Sequence, residues 1–175
     1  LTMGQWPICS YTNDIYPELI LFWGHNPIYS GPDGELGFGV KEALARKPKI
    51  IVVDPRETML AKRADVWLQL RPGTDDALGL AMLNVIIKEG LHDKEFVDNW
   101  CYGFDELAAR VTHYTPEWAE PITWCKAADI REAARLYAEV KPSMLEWGCA
   151  IEHTPACFQT VRALLCLPSI TGNID

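Results

Sequence analysis

No GxGxxG and no GxxxxGK[ST] run occurs in the 175 residues, which removes the phosphate loops of standard dinucleotide dehydrogenases and of P-loop NTPases. There is no GxSxG elbow on which an α/β-hydrolase nucleophile would sit. The 6 cysteines never form a CxxC pair, so they read as reduced structural thiols that behave as small hydrophobes. Lysine plus arginine (16) are outnumbered by aspartate plus glutamate (24), giving a net charge of −8. No basic cluster interrupts that excess, so nucleic acid and anionic membranes are poor partners. The longest strictly apolar stretches, such as 19–23, fall far short of the roughly 18 residues of a membrane span. The residues that open the chain do not form a charged-then-apolar leader, and the chain reads as a segment of a longer polypeptide. Its compartment stays open between a prokaryotic cytoplasm and a periplasm reached through a signal outside this segment.

Against these absences stands an ordinary globular composition, 49% hydrophobic and 23% charged. A chain of this length buries somewhat more than two thirds of its extended surface within a radius of gyration of about 16 Å, enough for a single α/β domain over 1–175. Glu18-Leu-Ile-Leu-Phe-Trp23, bounded by Pro17 and by Gly24 to Pro27, reads as a buried strand. Gly31-Pro32-Asp33-Gly34 has turn chemistry, and Leu36, Val40, Ala43 and Leu44 then recur near helical spacing until Pro48. Lys49-Ile-Ile-Val-Val53 is a β-branched run of the kind found in internal parallel strands. Val66 to Leu70 predicts a third strand. Thr74 is the expected cap of a helix with Asp75 and Asp76 in its first turn, apolar nearly all round from Ala77 to Ile87 and closed by Gly90.

Residues 93–125 carry short amphipathic pieces broken by Gly103, Pro116 and Pro121, and read as a helical insertion. Asp129 to Val140 has a helical stripe, and Met144 to Trp147 predicts a fourth strand ending at Gly148. For the last helix, Thr154 is the expected cap and Pro155 the first position, with Phe158, Val161, Leu164 and Leu165 inward and Pro168 as the stop. Packing accounts for most of the 7 tryptophans on this reading. Strand and helix alternate, so the expected fold is a doubly wound, mostly parallel sheet with helices on both faces, a Rossmann-like three-layer α/β/α arrangement. Ligands in such folds bind outside the carboxyl ends of the strands.

Three of those ends carry Gly24-His25-Asn26-Pro27, Asp54-Pro55-Arg56-Glu57-Thr58 and Arg71-Pro72-Gly73-Thr74-Asp75. Each suits a nucleotide. Gly24 lets backbone approach a phosphate, and Asn26 both donates and accepts. Asp54 stands where doubly wound folds put a carboxylate on ribose hydroxyls, and Arg56 has the planar fork that meets a diphosphate. Asp75 can accept two parallel hydrogen bonds from guanine N1 and its exocyclic amine, an edge adenine cannot present. Plainer readings stand beside these: Gly24 and Gly73 as tight turns, Asp75 as a first-turn acid, Arg56 paired with Glu57 or Asp54. Cys149 and His153, beyond the fourth strand, read as a buried thiol and a helix-start histidine.

Taken in order, these stretches resemble the molybdopterin oxidoreductase family. Trp23-Gly24-His25-Asn26-Pro27 looks like its tryptophan-glycine-x-asparagine-proline turn, and Val53-Asp54-Pro55-Arg56 with Thr58 and Ala64-Asp65 is similar to its second-strand signature. Arg71-Pro72-Gly73-Thr74-Asp75 with Ala77-Leu78 is the most specific match. Trp147-Gly148, Gln159 to Ala163, Leu167-Pro168 and Thr171-Gly172-Asn173 look like its closing stretch. The resemblance implies a domain holding the guanosine diphosphate end of a molybdopterin guanine dinucleotide, with molybdenum or tungsten. On that analogy Trp23 to Ser30 faces diphosphate and ribose, Asp54 to Thr58 lines the nucleotide, and Gly73 to Asp75 presents the carboxylate to guanine.

The segment 149–151 departs from the family's glycine-rich run, and Pro155-Ala156 replaces a common glycine. A four-iron cluster motif is absent, so any iron–sulfur cluster belongs to missing segments. Cys9 is the upstream candidate for a metal ligand and reads as a packed turn. No catalytic or metal-ligating residue is assigned. The implied partners are the remaining domains of a large subunit and an iron–sulfur electron-transfer subunit. A free-standing hydrolase or transferase using Ser30, His25 or Asp54, and a non-catalytic interaction domain, are the competing readings.

Overall fold

The computed structural model describes residues 16–30 and 35–174. The expected turn at 31–34 and the Cys9 segment lie outside the described residues. Strand β1 (Leu19–Trp23) is followed by a short helix α1 (Pro27–Ser30), helix α2 (Glu35–Ala45) and strand β2 (Lys49–Val53). A 3-10 turn (Ala61–Arg63) leads to β3 (Val66–Leu68), which is two residues shorter than its apolar pattern because Gln69 and Leu70 leave the ladder. Then come α3 (Asp75–Lys88), α4 (Lys94–Trp100), α5 (Phe104–Val111), α6 (Pro116–Thr123), α7 (Ala127–Glu139), β4 (Ser143–Trp147), α8 (Cys149–Glu152) and α9 (Cys157–Thr171).

All four strands are parallel, in the order β3-β2-β1-β4. Parallel strands covered on both faces need no polar alternation, and β1 is buried throughout. Leu19, Leu21 and Trp23 join one core with Ile51, Val53, Leu68 and residues of α3, α7 and α9. Ile20 and Phe22 point to the other, with Ile50, Val52, and Val40 and Ala43 of α2. This is the period of two expected of a strand, and each such side chain contributes roughly 1.5 to 3 kcal/mol by leaving water. Helix α3 packs against α6, α7 and α9, which is why it is apolar nearly all round.

The chain winds from β1 outward to β3 and then returns to place β4 on the other side of β1. The reversal of strand order therefore lies between β1 and β4, where doubly wound folds open a crevice at the carboxyl ends.

Several local expectations are corrected. Helix α9 starts at Cys157 with Ala156 as its cap, while Thr154 donates to Ile151 O at 3.3 Å and belongs to the turn after α8. Phe158 is 69% exposed, and the helix runs through Pro168 to end at Gly172. Proline in the last turn forfeits one backbone bond, and its own carbonyl accepts from Gly172 and Asn173. Thr74 does precede α3, but its hydroxyl donates to Arg71 O at 2.7 Å and does not cap the helix. Cys149 is exposed, and His153 follows α8 where a helix start was expected. Trp100 and Trp124 are 78% and 68% exposed, so packing does not account for them, whereas Trp118, 37% exposed, packs edge-on against Tyr114. Helices α4 to α6 are short, and their narrow inward faces are taken by Val97, Val111, Pro116 and Ala119.

Candidate functional site

The loops singled out in the sequence follow β1, β2 and β3, and the fourth strand adds Trp147 and Gly148 beside the first. Backbone bonds prolong the sheet into them: Gly24 N donates to Val53 O at 2.8 Å, Asp54 N to Leu68 O at 3.3 Å and Gly148 N to Trp23 O at 3.1 Å. At the reversal the chains nearly touch. A Cβ placed on Gly148 would lie 2.4 Å from Gly24 O, so that position admits only glycine without backbone movement. Gly24 itself turns with φ +57°.

Asp75 is the first residue of α3 and is 8% exposed. Trp23 Nε1 donates to its Oδ1 at 2.9 Å, joining the end of β1 to the start of α3. Burial raises the Asp75 carboxyl above the ordinary carboxylate value, and the Trp23 bond works in the opposite sense. Gly73 supplies the loop's left-handed turn at φ +81° with open space around it. Arg71 is held by its backbone bond to Thr123 O, and its guanidinium lies 5.3 Å from the ring centre of Trp124.

The loop after β2 is braced from within. Asp54 is 3% exposed, and its Oδ1 accepts from Arg56 N at 2.8 Å, with Arg56 Nε 3.5 Å away. Its carbonyl accepts from Trp67 Nε1, Pro55 O from Gln69, and Thr58 Oγ1 from Ala61 N. The Asp54 carboxylate and Thr58 hydroxyl are thus committed to shaping the turn. Arg56 presents a side chain that is 76% exposed.

In the β1 loop, Asn26 O accepts from Tyr29 and Ser30 N and starts α1, while Asn26 Oδ1 is buried without a hydrogen-bond partner. His25 Nδ1 lies 2.5 Å from Glu146 Oε1, although Nδ1 makes no aligned hydrogen bond. Glu146 was not singled out in the sequence. Its one signal is an acid inside a short apolar strand, between Leu145 and Trp147. Trp147 Nε1 donates to Glu152 Oε1 at 3.1 Å. Among the described residues, no group of three or more His, Cys, Asp or Glu side chains is placed to hold a metal ion, and no helix is long and apolar enough to cross a membrane.

Comparison with known proteins gives a consistent result. The family model for molybdopterin oxidoreductases matches residues 7–175. Over 99% of its length the chain is 46% identical to acetylene hydratase of Syntrophotalea acetylenica, covering 23% of that protein. It is 40% identical to formate dehydrogenase H of Escherichia coli (strain K12) over 99% of its length, covering 24% of that protein. The solved structure of acetylene hydratase from Pelobacter acetylenicus superposes with a TM-score of 0.89 at 40% identity, over 99% of this chain and 23% of that one. The chain spans about a quarter of the length of the curated relatives it matches.

Proposed function

The chain belongs to the molybdopterin oxidoreductase family, and on that premise we propose that it is the domain of a molybdenum- or tungsten-dependent enzyme that holds the guanosine diphosphate end of a molybdopterin guanine dinucleotide. The observation that carries this reading is Asp75, buried at the start of α3 with one carboxylate oxygen steadied by Trp23. A carboxylate so oriented accepts the N1–H and exocyclic N–H of guanine side by side. Adenine offers no such pair.

The remaining residues fit the same ligand. Asn26 Oδ1 is buried and unpaired, a state that costs about 1–3 kcal/mol until a donor such as a ribose hydroxyl reaches it. Gly24 and Gly148 allow backbone to line the crevice closely, and the exposed Arg56 guanidinium is free to move onto a diphosphate. Asp54, Pro55 and Thr58 hold the Arg56 turn, Gly73 and Thr74 shape the approach to Asp75, and Trp147 with Gly148 forms the wall beside β1.

When bound, the cofactor would supply metal-centred redox or hydration chemistry. The protein's part here is to bind and orient. Other domains of a large subunit complete the cofactor cage and the metal ligation, and an iron–sulfur subunit is the expected electron partner.

The test is calorimetric titration of the full-length polypeptide, prepared without cofactor, with GDP and with ADP. GDP should bind more tightly, and Asp75→Asn should lose about 2 to 4 kcal/mol of GDP binding, because the amide replaces one acceptor with a misplaced donor. Preference for ADP, or an unchanged Asp75→Asn variant, would overturn the assignment.

A further inference from the structure

A buried acid at the strand reversal has no part in the binding scheme above. Glu146 stands opposite Phe22 in the β1–β4 register, on the face where Ile20, Phe22 and Val52 form an apolar core, and is 8% exposed. A carboxylate in that setting needs a partner. His25 Nδ1 is the basic group beside it, 2.5 Å from Oε1, yet Nδ1 has no aligned hydrogen bond and Glu146 Oε2 has no partner. Asn26 Oδ1, on the next residue, is a third buried polar atom without a partner. These atoms stand at the ends of β1 and β4, where an anion would take a donor from the imidazole and a sugar hydroxyl would supply one to Asn26 Oδ1.

We propose that Glu146 is a positioning residue for a diphosphate: it holds the His25 imidazole at the β1–β4 crevice and supplies the proton that makes His25 cationic when the anion binds. The proposal rests on the guanosine diphosphate reading. At 2.5 Å, Nδ1 and Oε1 are within reach of proton transfer once the imidazole turns into line. Burial pushes the Glu146 carboxyl up to about 7 and the His25 imidazole below its usual 6.5. Without ligand, below pH 7, the proton therefore rests on the carboxyl and the pair is uncharged. Arrival of a diphosphate favours the imidazolium: the Glu146 O–H bond breaks, an N–H bond forms at Nδ1, and Nε2–H donates to a diphosphate oxygen. Glu146 is left as the carboxylate counter-ion. Above pH 7 the empty pair has already lost that proton, and binding must take one from solvent.

Among the described residues, the other charged groups on the surrounding elements are committed or exposed. Asp54 after β2 faces Arg56, and Glu152 of α8 accepts from Trp147. Cys149 and His153 at the two ends of α8, Tyr29 of α1, Lys41 and Glu42 of α2 and Arg162 of α9 are exposed. Burial is the influence that moves both members of the pair.

The experiment titrates the full-length, cofactor-free polypeptide with a GDP-sugar, whose doubly esterified diphosphate keeps a constant charge across this range. Calorimetry between pH 6 and 8.5, in buffers of different ionisation enthalpy, reads affinity and proton uptake together. Affinity should fall by up to about tenfold per pH unit above pH 7, with uptake approaching one proton per ligand. Glu146→Gln should abolish both the slope and the uptake between pH 7 and 8.5, and His25→Gln should do the same. Wild-type binding without proton uptake, or a slope that persists in Glu146→Gln, overturns the proposal. The wild-type slope decides the matter if a variant does not fold. Absence of wild-type binding at every pH overturns the guanosine diphosphate reading itself, and this inference with it.

Discussion

Trp23 Nε1 donates to Asp75 Oδ1 at 2.9 Å, a buried bond between residues 52 positions apart that fastens the end of β1 to the first turn of α3. Through it, the orientation of the carboxylate assigned to guanine is set by the central strand of the sheet. Replacing Trp23 by Phe keeps most of the apolar contact and removes the donor, leaving a buried carboxylate short of one bond. The expected loss is about 1–3 kcal/mol of stability, with a weaker preference for GDP over ADP. Urea unfolding and paired nucleotide titrations measure the two effects, and a Trp23→Phe protein with unchanged selectivity would show that the bond does not orient Asp75.

Glu146 gives stability a falling limb with pH. Its carboxyl titrates near 4.5 when unfolded and at about 7 in the folded chain, because burial disfavours the charged form. Between those values the folded state holds a proton that the unfolded state has released. The contribution is therefore complete below pH 4.5 and is lost as pH rises through 7, by about 3 kcal/mol. His25 acts in the opposite sense: burial lowers its pKa, so its contribution is lost as pH falls below 6.5. From pH 5 to pH 7.5 the denaturant midpoint should drop in the wild type and rise slightly in Glu146→Gln, where the opposing His25 limb remains. An equal drop in both would assign the limb to other groups.

Two glycines are required for different reasons, and asparagine separates them. Gly73 has φ +81° and nothing within 4 Å of an added Cβ, so Gly73→Ala should cost about 1–2 kcal/mol of backbone strain. Gly73→Asn should recover part of that, since asparagine tolerates the left-handed region. Gly148 has an ordinary φ but a Cβ there meets Gly24 O at 2.4 Å. Gly148→Ala should cost about 1–3 kcal/mol, and Gly148→Asn should be worse. Guanidinium midpoints for the four variants check the ordering.

Asp54 braces the turn that carries Arg56, and its carboxylate oxygen accepts from Arg56 N at 2.8 Å. Asp54→Asn keeps an acceptor at that place and should retain most of the stability, whereas Asp54→Ala should lose about 1–2 kcal/mol. If bracing is its work, guanosine and deoxyguanosine diphosphates lose affinity equally in Asp54→Ala. A loss confined to the ribose form would show direct contact with a sugar hydroxyl.

Much of the architecture was readable because its causes are local. An apolar run buried on both faces marks β1, a β-branched run marks β2, a helix apolar nearly all round marks α3, and glycine, proline and aspartate at strand ends mark the loops. Where local signals competed, the reading failed. Thr154-Pro155 looks like a helix start, yet the chain between α8 and α9 uses it as a turn. The exposed indoles of Trp100 and Trp124 follow from how little inward face a helix of two turns offers, a quantity that no composition rule contains.

The residue pattern alone marks the four strands and the longer helices, and their alternation points to a parallel sheet with loops gathered at its carboxyl ends, because propensity and periodicity act between near neighbours. Tertiary structure decides the rest. It bonds Trp23 to Asp75, sets His25 against Glu146, and brings Gly148 within backbone contact of Gly24. Each of the pairings between strands joins residues that meet only after β4 has crossed back beside β1 and α3 has docked on the sheet, so their chemistry depends on burial and direction that sequence spacing does not encode.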